Sequence, residues 1–131
     1  MSGLTQVLQV YRCEVCGNMV LVLRAGRGSL VCCGQPMTLL AEKTAGPGSE
    51  KHLPVVEEAE GGLKVVVGST RHPMEEGHLI EWVAAAVDGE VHMVFLRPGA
   101  EPEVFLPLAK KRRIEVRAYC NKHGLWKTEV G

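Results

Sequence analysis

The chain has 131 residues, enough for one ordinary domain or two small ones. Its apolar fraction of 46% excludes a typical disordered chain. Its 15 basic and 15 acidic residues give a formal net charge of zero, which argues against a nucleic-acid-binding protein, since that class usually carries a basic surplus.

No stretch reaches the roughly 20 apolar residues of a membrane helix, and the N-terminus lacks a basic start followed by a long apolar stretch. We therefore expect a soluble, cytoplasmic protein with neither membrane nor nucleic-acid partners. One basic run is present, and we interpret it as a solvated loop or edge strand; its members are Lys110, Lys111, Arg112 and Arg113.

The first unit, residues 1–38, is predicted to consist of short strands and tight turns. Strands at residues 7–11 and 19–23 flank a turn at residues 13–17, and a second cysteine-bearing turn lies at residues 31–34. About 35 residues cannot bury enough apolar surface to fold unaided. A bound metal is therefore expected to act as the core of this unit.

Four cysteines in this unit suit a metal site: Cys13, Cys16, Cys32 and Cys33. In a reducing cytoplasm, clustered cysteines more often bind metal than form disulfides, and the odd total of five fits a disulfide framework poorly. The adjacent pair requires a distorted tetrahedron. Zinc and iron both accept four thiolates, and the spacing alone leaves a structural zinc ribbon open.

The second unit is predicted to cover residues 39–131, with a linker at 39–49 where Gly46, Pro47 and Gly48 disfavour regular structure. Asp88-Gly89 is a strong hairpin signal. Six or seven short strands without a long helix predict an all-β unit, an immunoglobulin-like β-sandwich or barrel. The predicted strands are residues 63–68, 79–87, 90–96, 105–108, 114–119 and 125–130.

A second candidate metal site is rich in imidazole and contains one thiol: His52, His72, His78, Cys120 and His123. Singly, each histidine is more often a surface or satisfied core residue, and a lone cysteine is a small apolar residue. The hypothesis depends on the set, because these residues lie beside turns that gather at one end of a sandwich. His92 is left out, since it lies in the middle of a predicted strand.

Residues 11–37, with their unusual Cys-Cys pair, closely resemble desulforedoxin, a small rubredoxin-like iron protein. The segments KHLPV, HPMEEGHLIEW and YCNKHGLWK, in that order, resemble superoxide reductase. Together the two units are similar to the two-iron form of that enzyme, the desulfoferrodoxin family. The resemblance covers nearly the whole chain and implies a desulforedoxin-like domain followed by an immunoglobulin-like β-barrel.

The resemblance also implies the cofactors and the activity. Iron would lie among the four cysteines of the first unit, and a second iron would have His52, His72, His78 and His123 as equatorial ligands and Cys120 as the axial ligand. Such a protein reduces superoxide by one electron to hydrogen peroxide. An external donor such as a rubredoxin then re-reduces it, and members of the family are usually homodimers.

Two residues beside the first histidine have roles implied by the family's Glu-Lys-His motif, which is present here as EKH. Lys51 would place an ammonium near the open position of the iron, attract superoxide and orient a proton-donating water. Glu50 would become the sixth ligand once peroxide leaves. Without the resemblance, both residues would be interpreted as exposed loop charges.

Three other functions remain as alternatives. The first is a binding module made of a zinc ribbon and a β-sandwich, which has no need for five convergent ligands. The second is a two-iron electron-transfer protein, which predicts no fast reaction with superoxide. The third is a superoxide dismutase, which would evolve oxygen and need no external reductant.

Overall fold

A computed structural model describes residues 5–108 and 113–131, and the chain divides into two units after Ala41. Lys110, Lys111 and Arg112 of the basic run lie outside the described residues, so the loop or edge strand predicted there stays a prediction. Within the described part of the chain, no helix has both the length and the apolar character needed to cross a membrane.

The first unit is built from five very short strands. β1 (Val10–Arg12) lies between β2 (Met19–Leu21) and β5 (Thr38–Leu39), and both neighbours are antiparallel to it. β3 (Val31–Cys32) and β4 (Gln35–Pro36) form a separate hairpin. The predicted strands and cysteine-bearing turns are present, but the strand expected at residues 7–11 is Val10–Arg12 and the strand expected at residues 19–23 is Met19–Leu21.

The apolar core of this unit is small. Among its described residues, the buried apolar ones are Val10, Cys13 and Val22. Larger side chains such as Leu23, 79% exposed, and Val31, 60% exposed, lie in solvent. Because so little apolar surface is removed from water, hydrophobic burial alone cannot hold the unit together.

The second unit is nearly all β, as predicted. It contains one helical turn, α1 (Ser49–His52), and its strands are β6 (Glu42–Lys43), β7 (Pro54–Ala59), β8 (Gly62–Val67), β9 (Ile80–Val87), β10 (Glu90–Phe95), β11 (Glu103–Leu106), β12 (Ile114–Cys120) and β13 (Gly124–Val130). One sheet has the order β10-β9-β12-β13-β6 and the other the order β11-β8-β7. All pairs are antiparallel except β13 with β6, which is parallel.

Alternating side chains from the two sheets form the core between them. In β8 the inward residues are Leu63, Val65 and Val67, while Lys64 between them is exposed. Each such side chain contributes roughly 1.5–3 kcal/mol when fully buried. In β12 the inward positions are Ile114, Val116, Ala118 and Cys120. This alternation, with a period of two, places the Cys120 thiol at the end of the core.

Several strand boundaries differ from the prediction. The strand expected at residues 105–108 is β11, Glu103–Leu106, because Pro107 has no N–H to continue the ladder. β7 was not predicted: it begins at Pro54 and lies at the edge of its sheet, where proline is tolerated. The hairpin at Asp88-Gly89 is confirmed, with φ values of 45° and 78° that suit a two-residue turn.

Two strands lie within the stretch for which a linker was predicted. Leu39 ends β5, and Glu42–Lys43 form β6, which adds to the edge of the larger sheet beside β13. Local composition gave no sign of this pairing, because a two-residue parallel strand depends on a partner more than 80 positions away in the chain.

Candidate metal centres

The first centre brings together Cys13, Cys16, Cys32 and Cys33, whose sulfurs all lie within 4.8 Å of one another. In the first turn, Gly17 N–H donates to the Cys13 carbonyl oxygen at 2.9 Å. Two backbone N–H groups point at sulfur: Cys16 N–H to Cys13 Sγ and Asn18 N–H to Cys16 Sγ, each at 3.4 Å. The turn therefore offers its sulfurs the hydrogen bonds that favour thiolates.

The adjacent cysteines occupy the hairpin between β3 and β4. Cys33 and Gly34 both have positive φ, 53° and 76°, as a two-residue hairpin turn requires. Through this left-handed turn the sulfurs of Cys32 and Cys33 lie 3.9 Å apart, and Cys16 Sγ lies 3.6 Å from Cys32 Sγ. The backbone thus brings consecutive side chains to a common point.

The pKa values of the Cys13 and Cys33 thiols are shifted in opposite directions. The hydrogen bond from Cys16 N–H is the largest cause that lowers the pKa of Cys13, to about 6. Hydrogen bonding to the Cys16 sulfur is the largest cause that raises the pKa of Cys33, to about 12. Four thiolates this close repel one another unless a cation lies among them. The sulfur set fits a closed four-thiolate metal site.

The second centre consists of four imidazoles and one thiol, and it unites the five predicted residues. His52, His72, His78, His123 and Cys120 each offer one ligand atom, and these atoms lie within 4.8 Å of one another. The imidazoles form a closed ring, edge to face, in the order 52, 72, 78, 123. Successive ring centroids are 4.7, 4.9 and 5.0 Å apart, and the step back to His52 is 4.8 Å.

Backbone carbonyls fix the tautomers of two of these histidines. His52 Nδ1 lies 2.8 Å from the Gly48 oxygen, and His72 Nδ1 lies 2.6 Å from the Pro73 oxygen. A carbonyl only accepts, so Nδ1 carries the proton and Nε2 keeps its lone pair. The Nε2 atoms of His52, His72 and His78 are buried without a hydrogen-bond partner. Three unpaired nitrogens that converge at one point fit a bound cation.

Burial favours the neutral form of three of these histidines. Burial is the main cause that lowers the pKa of His72, to about 4, and it lowers the pKa of His52 and His78 in the same direction. Neutral imidazoles offer lone pairs to a metal without first releasing a proton.

Cys120 completes the set with a buried thiol. Burial raises the pKa of its thiol, whereas the backbone N–H groups of Lys122 and His123 point at the sulfur and lower it. Cys120 Sγ lies 3.6 Å from His123 Nδ1. A thiol among three unpaired nitrogens suits iron or another borderline transition metal better than a hard cation.

The fold supplies these ligands from separate segments. His52 ends α1, whose Glu50 carbonyl accepts from Thr70 N–H at 2.8 Å and from the Ser69 hydroxyl at 3.2 Å. Gly68 allows this approach, because a Cβ there would lie 2.8 Å from the Glu50 oxygen. Next to Cys120, the register between β12 and β9 shifts, an irregularity of the kind that re-aims side chains at sites.

Asn121 ties the loop of His78 to the turn that carries Cys120 and His123. Its Oδ1 accepts from Leu79 N–H at 3.0 Å, its amide donates to the Gly77 oxygen at 3.1 Å, and its backbone N–H donates to the Leu79 oxygen at 3.2 Å. The sequence did not single out Asn121. It lies within YCNKHGLWK, but only the fold shows what its amide contacts.

Glu50 and Lys51, the other predicted site residues, lie in α1 immediately before His52 and are exposed. Lys51 is close enough for its charge to contribute to the lowered pKa of His78, after burial and the His123 and Lys122 charges. His92, which was left out of the site, lies in β10 with its Nε2 2.9 Å from Glu90 Oε1.

Comparisons with known proteins agree with this arrangement. The family described as desulfoferrodoxin, N-terminal domain, matches residues 5–40, and the desulfoferrodoxin family matches residues 44–129. A desulfoferrodoxin homolog of Archaeoglobus fulgidus is 53% identical over 95% of this chain and 99% of its own. The desulfoferrodoxin of Nitratidesulfovibrio vulgaris is 50% identical over 93% and 96%. The superoxide reductase structure from Treponema pallidum has a TM-score of 0.72 and 26% identity, over 98% of this chain and 99% of that one.

Removal of the metal is expected to unfold the first unit and spare the second. The first unit buries few apolar residues, whereas the second has its own core. After chelation, amide hydrogen exchange of Val10 and Val22 should approach unprotected rates while that of Val65 and Val116 stays slow. Unchanged protection of Val10 and Val22 would show that the first unit folds without metal.

Asn121→Ala is expected to loosen the second centre. The loss of two side-chain hydrogen bonds should lower the free energy of unfolding of the metal-free protein by about 1–2 kcal/mol and metal affinity by about tenfold or more. Chemical unfolding and zinc titration measure the two effects. Asn121→Asp keeps the acceptor for Leu79 N–H. Its stability and metal affinity should therefore lie between those of Asn121→Ala and the unchanged protein. Affinity equal to that of the unchanged protein would remove Asn121 from the site.

Proposed function

The chain belongs to the desulfoferrodoxin family, and on this premise we propose that it is a superoxide reductase that converts superoxide to hydrogen peroxide by one-electron reduction. The observation that carries the proposal is the closed ring of four imidazoles with Cys120 as the fifth ligand. The family's two iron sites correspond to the two ligand sets, Fe(Cys)4 and Fe(His)4Cys.

The ligand set of the second centre suits a small anionic substrate. Bound there, ferrous iron supplies the electron that reduces superoxide. Four neutral imidazoles and one thiolate offset only one of the two positive charges of a divalent ion, so the centre attracts an anion. Five protein ligands leave one position of a six-coordinate ion for substrate. His123 is exposed and His78 partly so, which gives solvent a route to the ring.

The first centre is proposed to have a different function. Four cysteine sulfurs fill the positions of a tetrahedral ion, so no position is left for substrate. We propose that this iron holds the first unit together and carries electrons. It takes no direct part in the reaction with superoxide.

Lys51 and Glu50 are proposed to serve the second centre from α1. The Lys51 ammonium, within electrostatic reach of His78, attracts superoxide and orients a water that protonates the product. The Glu50 carboxylate takes the sixth position once hydrogen peroxide has left. The backbone at Glu50 is fixed by Thr70 and Ser69, which supports a defined position for both residues.

We further propose that the protein works in the cytoplasm as a homodimer and receives electrons from a donor such as a rubredoxin. All five cysteines are free thiols, as suits a reducing compartment. The exposed apolar side chains of the first unit, such as Leu23 and Val31, are surface that pairing would bury. A closed four-thiolate site exchanges electrons and requires a one-electron partner.

The test of the function is stoichiometry with pulsed superoxide. The iron-loaded, reduced protein should consume one electron from the donor for each hydrogen peroxide formed and release no oxygen. Cys120→Ser should abolish the reaction together with the visible thiolate-to-iron absorption of the second centre, while the absorption of the first centre remains. Oxygen release without a reductant would indicate a superoxide dismutase. A slow reaction with superoxide would favour a two-iron electron-transfer protein. A colourless protein that contains only zinc would favour the binding module.

Lys51→Ala is expected to slow the reaction with superoxide about threefold to tenfold and to weaken its dependence on salt, because one attracting charge is lost. Pulsed kinetics at two ionic strengths measure both effects. Lys64→Ala is the matched control, since Lys64 on β8 pairs with Glu103 on β11. An unchanged rate with normal iron content would remove Lys51 from the mechanism.

A further inference from the structure

The carbonyl oxygen of His123 accepts two hydrogen bonds from side chains that the ligand motifs do not explain. Lys43 Nζ donates to it at 2.9 Å and Trp126 Nε1 donates to it at 3.1 Å. A carbonyl with two donors, one of them charged, is held more firmly than a loop carbonyl in water. The turn that presents the His123 imidazole is therefore fixed from its backbone side.

Trp126 carries this contact to a second ligand. Its ring stacks on His52, with centroids 4.9 Å apart and planes 13° from parallel. Lys43 Nζ lies 5.2 Å from the centroid of the same indole ring, within the range of a cation–π contact. One ammonium thus contacts His123 directly and His52 through a buried aromatic ring, which is 2% exposed.

The position of Lys43 follows from β6, a strand that the sequence did not predict. β6 pairs with β13 in parallel, with Lys43 opposite Trp126 and Glu42 opposite Leu125. Side chains alternate along a strand. Glu42 accordingly turns away to Arg117 and Lys127, at 3.3 and 3.2 Å, while Lys43 points toward the metal centre. The ion pairs of Glu42 anchor β6 at the residue that precedes Lys43.

Gly124 follows His123 in the same turn and has a φ of 89°, a conformation that favours glycine. A Cβ on Gly124 would lie 3.7 Å from Lys43 Nζ, an ordinary van der Waals separation, so the ammonium lies directly against this turn. Lys43 is exposed, but its ammonium has defined partners, because it donates to the His123 carbonyl oxygen and lies over the indole ring of Trp126.

We infer that Lys43 is a positioning residue that fixes the His123 turn and holds a positive charge beside the second centre, which raises the reduction potential of the iron there. The oxidised ion carries one more positive charge than the reduced ion, so a fixed cation nearby disfavours oxidation. The inference rests on the proposed function for the identity of the metal. It adds a determinant of how readily the centre is kept reduced.

The test is a redox titration of the iron-loaded protein with Lys43→Met, Lys43→Arg and the control Lys64→Met. In Lys43→Met the ferric-to-ferrous ratio of the second centre at a given potential should rise roughly threefold to tenfold. The first centre should not change. Lys43→Arg keeps a positive charge and a hydrogen-bond donor, so its ferric-to-ferrous ratio should stay near that of the unchanged protein. If Lys43→Met is poorly folded, Lys43→Gln takes its place.

Ionic strength separates charge from structure. The shift in Lys43→Met should shrink when salt is raised, since salt screens a partly exposed charge. A ratio equal to that of Lys64→Met, or a shift that salt leaves unchanged, would overturn the inference. The titration uses no superoxide. A shifted ratio in a protein that does not reduce superoxide would refute only the proposed function, and an unshifted ratio in an active enzyme would refute only the role of Lys43.

Discussion

The second unit is organised around three buried nitrogens that have no hydrogen-bond partner among the described residues. The Nε2 atoms of His52, His72 and His78 face one another while carbonyls fix the outer sides of His52 and His72. A buried polar atom without a hydrogen bond costs about 1–3 kcal/mol. This cost applies to each of the three Nε2 atoms, and a bound cation offsets it. Metal binding at these ligands and local order are therefore coupled.

The two centres differ in how the fold of each unit depends on the metal. In the first unit the buried apolar residues among those described are few, so metal and fold depend on each other. In the second unit Leu63, Val65, Val116 and their neighbours form a core that does not involve the ligands except Cys120. The sandwich can therefore impose a geometry on the ion, including a position without a protein ligand, instead of adapting to it.

Much of the site was predictable because its chemistry is local. Cys13-x-x-Cys16 and Cys120-x-x-His123 place two ligands on one turn, and the family motifs order the remaining histidines along the chain. The strand at residues 114–119 and the Asp88-Gly89 turn were also predicted from local patterns, and both are confirmed. What the sequence could not show were partners set by long-range pairing: β6 beside β13, the Asn121 bridge to Gly77 and Leu79, and the carbonyl partners of Nδ1.

The unpredicted contacts share one property, which bears on how the centre works. Asn121, Trp126 and Lys43 bind the backbone of the ligand loops or the outer faces of the rings, and none of them offers an atom to the set of five. A site that changes its charge by one unit in each cycle gains from ligands that do not move, because reorganisation then adds little to the cost of electron transfer. Hydrogen bonds from the scaffold to the loops supply that rigidity. The open side of the ring at His78 and His123, by contrast, is left to the exposed charges of α1 and to solvent. Rigid support behind the ligands and exposed charge in front of them are what a small, diffusing anion requires of a site that must bind it, reduce it and release the product.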